Sequence, residues 1–315
     1  MTLSVIKAGL QTSLQGAPYK GHRHLGMPAA GAADCLSLAL ANKLVGKSND
    51  ALALEMTLDD AKFRAEQPMA IALTGAADYF HINGQTQPLH QRILVEPDDE
   101  IHIGPARHGC RSYLALGGAI AADTLLGGQS TIMSVGLGGF EGRALQMGDH
   151  VQADLLPDAL PKDQQTPAAM QPVISDKFII RLTTGPEFHR LSNASQNRLF
   201  DQIATVGARA NRMGLNLQGL DLDPQNAADI KSAAVFPGTI QCPPDGQAYL
   251  LGSDAQTTGG YARIAQVIRA DRHMIGQMRS GANIQFVHIT TEQAAAIYRQ
   301  KLALVEPWLG TMNFW

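Results

Sequence analysis

Glycine sets the first limit on how this chain can fold. The 315 residues include 31 glycines, whereas Phe, Trp and Tyr together make up only 5% of the sequence. Glycine adopts backbone conformations that other residues avoid, and it weakens helices and strands from within. This composition therefore favours many tight turns and close backbone approaches over long helices. The length exceeds the usual size of a single hydrophobic core, so we expect two domains.

Charge and cysteine content exclude several classes of protein. The formal net charge of −3 gives no electrostatic reason to expect a nucleic acid or an anionic membrane surface as a partner. The three cysteines, Cys35, Cys110 and Cys242, have neither metal-site nor redox-motif spacing. No run approaches 18 apolar residues, and the N-terminus MTLSVIKAGLQTS lacks the pattern of a signal peptide. We expect a cytoplasmic protein.

A proline-rich segment divides the sequence. Residues 153–176 read ADLLPDALPKDQQTPAAMQPVISD, and their four prolines interrupt both helical and strand periodicity. Such a segment is typical of a linker, although a long surface loop within one domain has the same composition. We predict an N-terminal domain over residues 1–155, a linker over 156–176, a second domain over 177–289, and a helix and tail over 290–315.

Only two stretches show clear helical periodicity. In DCLSLALANKLVG the leucines recur every four residues, Asp34 can cap the start and Gly46 can end the helix. In TTEQAAAIYRQKLALVE, near the C-terminus, Thr290 and Gln293 form a capping box ahead of an amphipathic run. Both segments are predicted helices.

The remaining signals are short strands. DEIHIG and CRSYLAL flank the turn PARHG, and TIQC and QAYLL flank CPPDG, so each pair predicts a β-hairpin. KFIIRLTT and NIQFVHI also read as strands. Regular βαβ alternation is missing. We therefore predict a mainly β fold with α+β elements, arranged as two β-rich domains.

Histidines and glycine-rich loops are weak candidates for chemistry. His22 and His24 in GHRHLG lie on one face of an extended segment, but no third metal ligand is nearby in the sequence, so a structural role is favoured. In GLGGFEGR, Glu141 stands where a dinucleotide-binding loop has glycine. Glu141 beside Arg143 fits an internal ion pair as well as it fits a substrate clamp.

Two loops in the second half are better suited to binding. ANRMGLNLQG places Asn211, with an amide, and Arg212, with a planar guanidinium, before a glycine turn. DAQTTGGYARIA offers an amide, two hydroxyls and two unshielded backbone N–H groups, from Gln256, Thr257, Thr258, Gly259 and Gly260. Together these groups suit an amide, a urea or a phosphate. A glycine bulge with locally satisfied hydroxyls would give the same sequence.

Four segments together resemble one family. They are HLGMPAAGAAD, GGFEGRALQMGD, ANRMGLNLQG, and PGTIQCPPDGQ followed by DAQTTGGYARIA. They are similar to the biotin-dependent carboxyltransferase family in its KipA form, also called subunit 2 of allophanate hydrolase or the C subunit of 5-oxoprolinase. The resemblance runs from Gly9 to Phe286, and NRMG and QTTGGY are its specific motifs.

The resemblance implies a fold, partners and an activity. It implies a cyclophilin-like β-barrel in the second half and partner subunits of two types, A and KipI-like B. The implied reaction is the ATP-dependent opening of 5-oxoproline to glutamate, with ATP in a site shared with a partner. The alternatives are a carboxyltransferase component that uses biotin and acts on urea or a similar small amide, and a non-catalytic KipA-type regulator.

The resemblance also implies site residues. The implied catalytic residues are Asn211, Arg212, Gln256, Thr257 and Thr258. The implied substrate-binding residues are Gly259, Gly260, Tyr261, Gln241, Pro237, Gly238 and Arg143. The chain departs from the family pattern in the stretch from Gly16 to Tyr19, which lacks an acid and a base, and at Ala233 and Ala234, which replace a polar turn. These departures are compatible with altered substrate choice or with partial loss of the chemistry.

Overall fold

The computed structural model describes residues 1–155, 160–225 and 230–315. These residues form two compact units, each with its own hydrophobic core. The first unit comprises Met1–Tyr19, Ala30–Ile174 and Trp308–Met312. The second comprises Lys20–Ala29, Ser175–Pro307 and Asn313–Trp315. Both are built mainly from strands, which confirms the predicted fold class.

The strands of the first unit form two antiparallel sheets. In chain order they are β1 Thr2–Lys7, β2 Gln11–Gln15, β3 Ala53–Thr57, β4 Ala61–Ala65, β5 Met69–Gly75, β6 Phe80–Ile82, β7 Gln85–Thr86, β8 Arg92–Val95, β9 Glu100–Ile103, β10 Arg111–Leu116 and β11 His150–Gln152. One sheet has the order β11-β1-β4-β9-β6-β7 and the other β2-β3-β10-β5-β8. Apolar side chains from both sheets, such as Phe63 and Leu114, form the core.

The helix α1, Cys35–Leu44, begins as predicted. The Asp34 carboxylate accepts hydrogen bonds from the backbone N–H groups of Leu36 and Ser37, both at 3.1 Å. These bonds satisfy donors that the first helical turn leaves without partners. The helix contacts β5 and β10 and is buried along nearly its whole length.

The first predicted hairpin is wrong. β9 pairs with β4 and β6, whereas β10 pairs with β3 and β5 of the other sheet. Burial explains the difference, because β9 alternates between exposed and buried residues while every residue of β10 is buried. A strand that is buried on both faces belongs in the middle of a covered sheet, and α1 covers this one.

A closed barrel forms the centre of the second unit. The helices and strands in this part of the chain are β12 Lys177–Thr184, α2 Asn193–Asp201, β13 Ile203–Val206, β14 Gly214–Gln218, β15 Ala233–Ala234, β16 Thr239–Cys242, β17 Ala248–Leu251, β18 Thr258–Gly259, β19 Ala262–Val267, β20 Asn283–His288 and α3 Thr291–Leu309. The barrel order is β12-β19-β16-β17-β14-β13-β20, and β15 pairs with β18 apart from it. β16 and β17 form the second predicted hairpin, which is confirmed.

Local signals at the C-terminus are also confirmed. The Thr290 backbone N–H donates to the side chain of Gln293 at 2.9 Å, and the Gln293 N–H donates to the Thr290 hydroxyl at 3.2 Å. This reciprocal pair is the predicted capping box of α3. Short 3₁₀ helices occur at Arg23–Leu25, Ala168–Met170, Phe188–Arg190 and Arg272–Gln277. Within the described ranges, no helix has the length and apolar character needed to cross a lipid bilayer.

The predicted linker is only partly described. Residues 156–159, which include Pro157, lie outside the described residues. In the remainder, Thr166 donates its N–H to the His90 carbonyl at 2.9 Å, and Arg92 donates to that of Gln164 at 2.8 Å. This part therefore packs on the first unit, and the change to the second unit falls after Ile174.

Candidate functional site

A cavity lies on the outside of the barrel in the second unit. β14, β17 and β16 are neighbours there, and their residues Leu215, Leu250 and Ile240 point into the core. Alternate residues of these strands therefore point outwards. The outward positions and two adjoining loops enclose a cavity of about 360 Å³. Its lining brings together four of the predicted site residues, namely Asn211, Gln241, Gln256 and Tyr261.

A buried ion pair joins the two loops that contribute residues to this cavity. Arg212 is 5% exposed and Asp254 is 6% exposed. The guanidinium binds the carboxylate in bidentate fashion, with Nε–Oδ2 at 2.8 Å and Nη2–Oδ1 at 2.7 Å. The backbone N–H of Asp254 also donates to the Arg212 carbonyl at 2.9 Å. Arg212 is therefore a residue that positions both loops, and it is not among the residues that line the cavity.

Asn211 shapes the first loop and also faces the cavity. Its Oδ1 accepts hydrogen bonds from the backbone N–H groups of Met213 at 2.8 Å and Gly214 at 3.2 Å. This local turn is common for asparagine and occupies the side-chain oxygen. Within the described residues no acceptor bonds its Nδ2, so this N–H group remains for a ligand.

Gln241 presents a buried donor. The residue is 1% exposed, and its Oε1 accepts a hydrogen bond from Gln256 Nε2 at 3.1 Å. Its own Nε2 has no hydrogen-bond partner among the described residues. The β16–β19 pairing shifts register between Ile240 and Gln241, and such bulges redirect a side chain. A buried N–H without an acceptor costs about 1–3 kcal/mol, which a ligand carbonyl would relieve.

Gly259 makes room for this amide. A Cβ atom at position 259 would lie 2.5 Å from Gln241 Nε2. Real Cβ atoms do not approach other atoms that closely, so a larger residue would move the amide. Glycine at position 259 thus allows the Gln241 amide to keep its present position.

The rest of the QTTGGY loop is held by backbone pairing. Thr258 and Gly259 form β18, which pairs with Ala234 and Ala233 of β15. The carbonyl of Thr257 accepts a hydrogen bond from the Val235 N–H at 3.1 Å. Neither threonine nor either glycine lines the cavity, whereas Tyr261, which is 49% exposed, does. The alanines that depart from the family pattern thus supply a strand to this loop.

Pro237 and Gly238 form a turn away from the cavity lining. The Pro237 carbonyl accepts from Gln266 Nε2 at 3.0 Å, and the Gly238 N–H donates to the Leu251 carbonyl at 2.8 Å. Gly238 has a φ of 85°, which favours glycine. These contacts assign both residues to the support of β16 and β17.

Arg143 lies in the first unit. Its Nη1 bonds Asp149 Oδ2 at 2.6 Å, and its Nη2 bonds Glu141 Oε2 at 2.8 Å. The hydrogen bonds from Arg143 lower the pKa of Asp149 below its usual value. The guanidinium is thus engaged in the internal ion pair that was one of the two interpretations of this loop.

Seven residues of the lining are absent from the predicted site, and three of these have polar or charged side chains. These three are Arg209, Asp245 and Tyr249. Asp245 lies in the CPPDG turn, where turn chemistry accounted for it, and Tyr249 is the outward residue in the alternation of β17. Cys242 is next to this turn, but burial raises the pKa of its thiol to about 12. Burial thus disfavours the thiolate, which is the nucleophilic form of cysteine.

A segment from early in the chain also supports the site. Arg23, within Lys20–Ala29 of the second unit, donates from Nη2 to the carbonyls of Val235 at 2.6 Å and Gln256 at 3.4 Å. Its guanidinium also lies over the Phe236 ring, 5.3 Å from the centroid. The sequence indicated the flanking histidines as candidates but gave no signal for this arginine.

The cavity lining contains several side chains that form neutral hydrogen bonds. No group of three or more His, Cys, Asp or Glu side chains in the described part of the chain is placed to hold a metal ion. The lining instead combines the side-chain amides of Asn211, Gln241 and Gln256 with the hydroxyl of Tyr261. Amide and hydroxyl groups match the donors and acceptors of a small amide.

Comparison with known proteins places these features in a family. The model of the carboxyltransferase domain, subdomain A and B, matches residues 25–288. The chain is 35% identical over 292 residues to the Escherichia coli protein named as the C subunit of 5-oxoprolinase, with 93% of both chains covered. It is 30% identical to the urea amidolyase of Lachancea kluyveri, covering 96% of this chain but only 18% of that protein.

Solved structures agree with the sequence comparison. The crystal structure of Kluyveromyces lactis urea carboxylase superposes with a TM-score of 0.92 and 25% identity, over 98% of this chain and 29% of that one. The structure of TTHA0988 gives a TM-score of 0.81 and 28% identity, over 91% of this chain and 55% of that one. The chain therefore belongs to the family of carboxyltransferase domains with subdomains A and B.

Proposed function

We propose that this chain is the C subunit of an ATP-dependent 5-oxoprolinase, which opens 5-oxoproline to glutamate together with partner subunits of the A and KipI-like B types. The 35% identity to the E. coli protein of that name, over 93% of both chains, supports the assignment. The structural observation that carries it is the buried, uncommitted Nε2 donor of Gln241 in the cavity.

The cavity is suited to activating an amide carbonyl. As a lactam carbonyl is attacked, its oxygen gains negative charge, and a fixed donor then binds it more strongly. Loss of one such donor typically lowers kcat by about 10²–10³. Gln241 Nε2 takes this role in our proposal, with Asn211 Nδ2 beside it. The Arg212–Asp254 pair and the Gln241–Gln256 hydrogen bond keep these donors in place.

The nucleotide is proposed to bind mainly on one of the partner proteins. Among the described residues that line the cavity, Arg209 alone is basic. One exposed arginine near the Asp245 carboxylate is a poor match for the charge of a triphosphate. We therefore expect the isolated chain to be inactive, and we assign no step of ATP chemistry to its residues.

A second candidate function is transfer of a carboxyl group from biotin to urea or a similar amide. The 30% identity to a urea amidolyase over 96% of this chain favours it. The same cavity would bind the small amide. Because the chain spans only 18% of that relative, carrier and carboxylase functions would have to come from elsewhere.

The test is ATP-dependent glutamate formation from 5-oxoproline. The purified chain alone is compared with the chain mixed with its two proposed partners, and we expect activity only in the full mixture. Gln241→Ala should lower kcat about a hundredfold, whereas the control Gln300→Ala, at an exposed position of α3, should keep the full rate. Silence in a mixture whose complex forms would contradict the proposal and direct the assay to urea or to a regulatory role.

A further inference from the structure

Tyr249 lines a second cavity as well as the first. The second has a volume of about 380 Å³, and its lining includes Asn216, Gln218 and Gln247. Three residues line both cavities, namely Arg209, Asp245 and Tyr249. One cation, one anion and one aromatic ring therefore stand at the junction of the two cavities.

We propose that Arg209 and Asp245 are specificity-determining residues, which select small amides that carry a carboxylate beside the amide nitrogen. Arg209 binds the carboxylate, and Asp245 accepts a hydrogen bond from the N–H group. This inference rests on the proposed function and deepens it, because it states which amides the site accepts. Arg209 lies outside the motifs of the sequence analysis, and Asp245 lies in one of them but was interpreted there as a turn residue.

The guanidinium of Arg209 is free to bind a ligand. Arg212, Arg143 and Arg263 are each held by carboxylates of their own unit. Arg209, in contrast, is exposed and makes no ion pair with any residue that the structure describes. An arginine fork binds a carboxylate through two parallel hydrogen bonds, so its preferred ligand is an anion of this shape.

The loop that carries Arg209 is anchored on both sides. Before it, the Gly207 N–H donates to the Asn216 carbonyl at 2.9 Å. After it, the Asn211 turn and the buried Arg212–Asp254 pair fix the chain. The backbone at position 209 is thus fixed, while the exposed side chain lines both cavities. Binding geometry is better defined when its support is rigid in this way.

Asp245 is held by its own turn. Its Oδ1 accepts a hydrogen bond from the Gln247 N–H at 2.9 Å, and the Gly246 N–H donates to the Pro243 carbonyl at 3.0 Å. Gly246 has a φ of 80°, a conformation that favours glycine. The turn occupies one carboxylate oxygen, and Oδ2 remains as an acceptor at the cavity junction.

The chemistry of 5-oxoproline matches this arrangement. Its ring nitrogen lies between the amide carbonyl and the carbon that bears the carboxylate. The site offers one partner to each of these three groups. Gln241 can donate to the carbonyl, Asp245 can accept from the ring N–H, and Arg209 can bind the carboxylate. Urea has the carbonyl and the N–H groups but no carboxylate. Arg209 is therefore the residue that separates the two proposed functions.

The experiment compares two lactams in the assembled complex. 5-Oxoproline and 2-pyrrolidinone share the ring amide, but only the first has a carboxylate. We expect Arg209→Ala to lower kcat/KM for 5-oxoproline about a hundredfold, mainly through KM, and to leave 2-pyrrolidinone unaffected. Arg209→Lys should recover part of this loss. Asp245→Asn should lower kcat/KM for both lactams. The control Arg299→Ala, at an exposed position of α3, should leave kcat/KM for both lactams unchanged.

Two results would overturn the inference. Unchanged kinetics of Arg209→Ala with 5-oxoproline would remove the carboxylate contact, and an equal loss with both lactams would reduce Arg209 to a structural residue. If the wild-type complex fails to turn over 5-oxoproline, the proposed function fails, and selectivity is then measured as binding by ligand-observed NMR. Equal affinity of the chain for 5-oxoproline and 2-pyrrolidinone would overturn the inference, whereas a preference that Arg209→Ala abolishes would support it.

Discussion

Each unit of the molecule buries an arginine–carboxylate pair, but the surroundings of the two pairs differ. In the first unit Glu55 is 1% exposed and binds Arg111 Nε at 3.2 Å. It also accepts hydrogen bonds from the Tyr113 hydroxyl at 2.7 Å and the Ala33 N–H at 2.9 Å. Burial, followed by the nearby Glu55 carboxylate, raises the pKa of Tyr113 well above its usual value. This network satisfies its carboxylate entirely from within.

In the second unit the pair joins two loops that contribute to a cavity with an unsatisfied donor. Arg212 and Asp254 bind each other, but Gln241 in the cavity lining keeps an N–H group without a partner in the described structure. Asn211 and Met213, the neighbours of Arg212 in the sequence, line the cavity, whereas no residue of the first network is in its lining. We therefore assign the first pair to the architecture and the second to the support of a binding site.

The largest expected effect comes from removing one partner of either arginine–carboxylate pair. Arg212→Ala leaves the Asp254 carboxylate buried without its partner, which typically costs about 3–5 kcal/mol of unfolding free energy. The matched variant Glu55→Ala removes the carboxylate that binds Arg111 in the first unit. Hydrogen exchange should locate each loss in its own unit. Turnover by the folded complex should fall about a hundredfold for Arg212→Ala only, because that pair positions the cavity loops. A full-rate Arg212→Ala complex would show that the two pairs are equivalent.

A smaller and sharper effect is expected from Gly259→Ala. The new methyl group would lie 2.5 Å from Gln241 Nε2 and displace the amide. We expect kcat to fall at least about tenfold, since displacement of a catalytic group by about 1 Å can cost 10²-fold. The melting temperature should change little, because the displaced atom is at the end of a side chain. Gly260→Ala is the control, since its nearest neighbours would lie at 3.6 and 3.7 Å. Equal effects of the two variants would disprove the role of Gln241.

The smallest effect is a pH dependence that each unit shows separately. Hydrogen bonds from Arg263 lower the pKa of Glu187 below its usual 4.5. The stabilisation is therefore complete above pH 4.5 and is lost as the pH falls through the lower folded-state pKa. Glu187→Gln should flatten the acid dependence of the second unit, measured by urea unfolding, and Asp149→Asn should do so only in the first. An unchanged acid profile in Glu187→Gln would contradict this assignment.

Local signals in the sequence predicted local structure well. The Asp34 cap, the Thr290–Gln293 capping box and the CPPDG hairpin each depend on residues only a few positions apart. The pairing of β9 and β10 was mispredicted because the partners of a strand are set by burial across the whole sheet. Short-range turn chemistry carries no information on that choice.

The site was predicted in the same uneven way. Asn211 and Gln256 came from motifs, and the structure brings both to one cavity. Arg209 and Asp245 were missed because the first lies outside the motifs, the second was interpreted as a turn residue, and they line one cavity only when the barrel places β14 beside β17. The roles of these two residues depend on which groups lie near them in the folded chain, and the linear sequence does not show those neighbours.

Lys20–Ala29 belongs to the second unit and Trp308–Met312 to the first, so each unit contains segments from distant parts of the chain, which the ribosome makes at different times. Arg23 leaves the ribosome long before Val235 and Gln256, the residues it binds. Asn49 of the first unit is likewise made long before Leu309, whose carbonyl accepts a hydrogen bond from Asn49 Nδ2 at 3.0 Å. Domains usually fold one after another as the chain emerges. Here neither unit can be completed before the other has been translated, so no single cut in the gene would separate them.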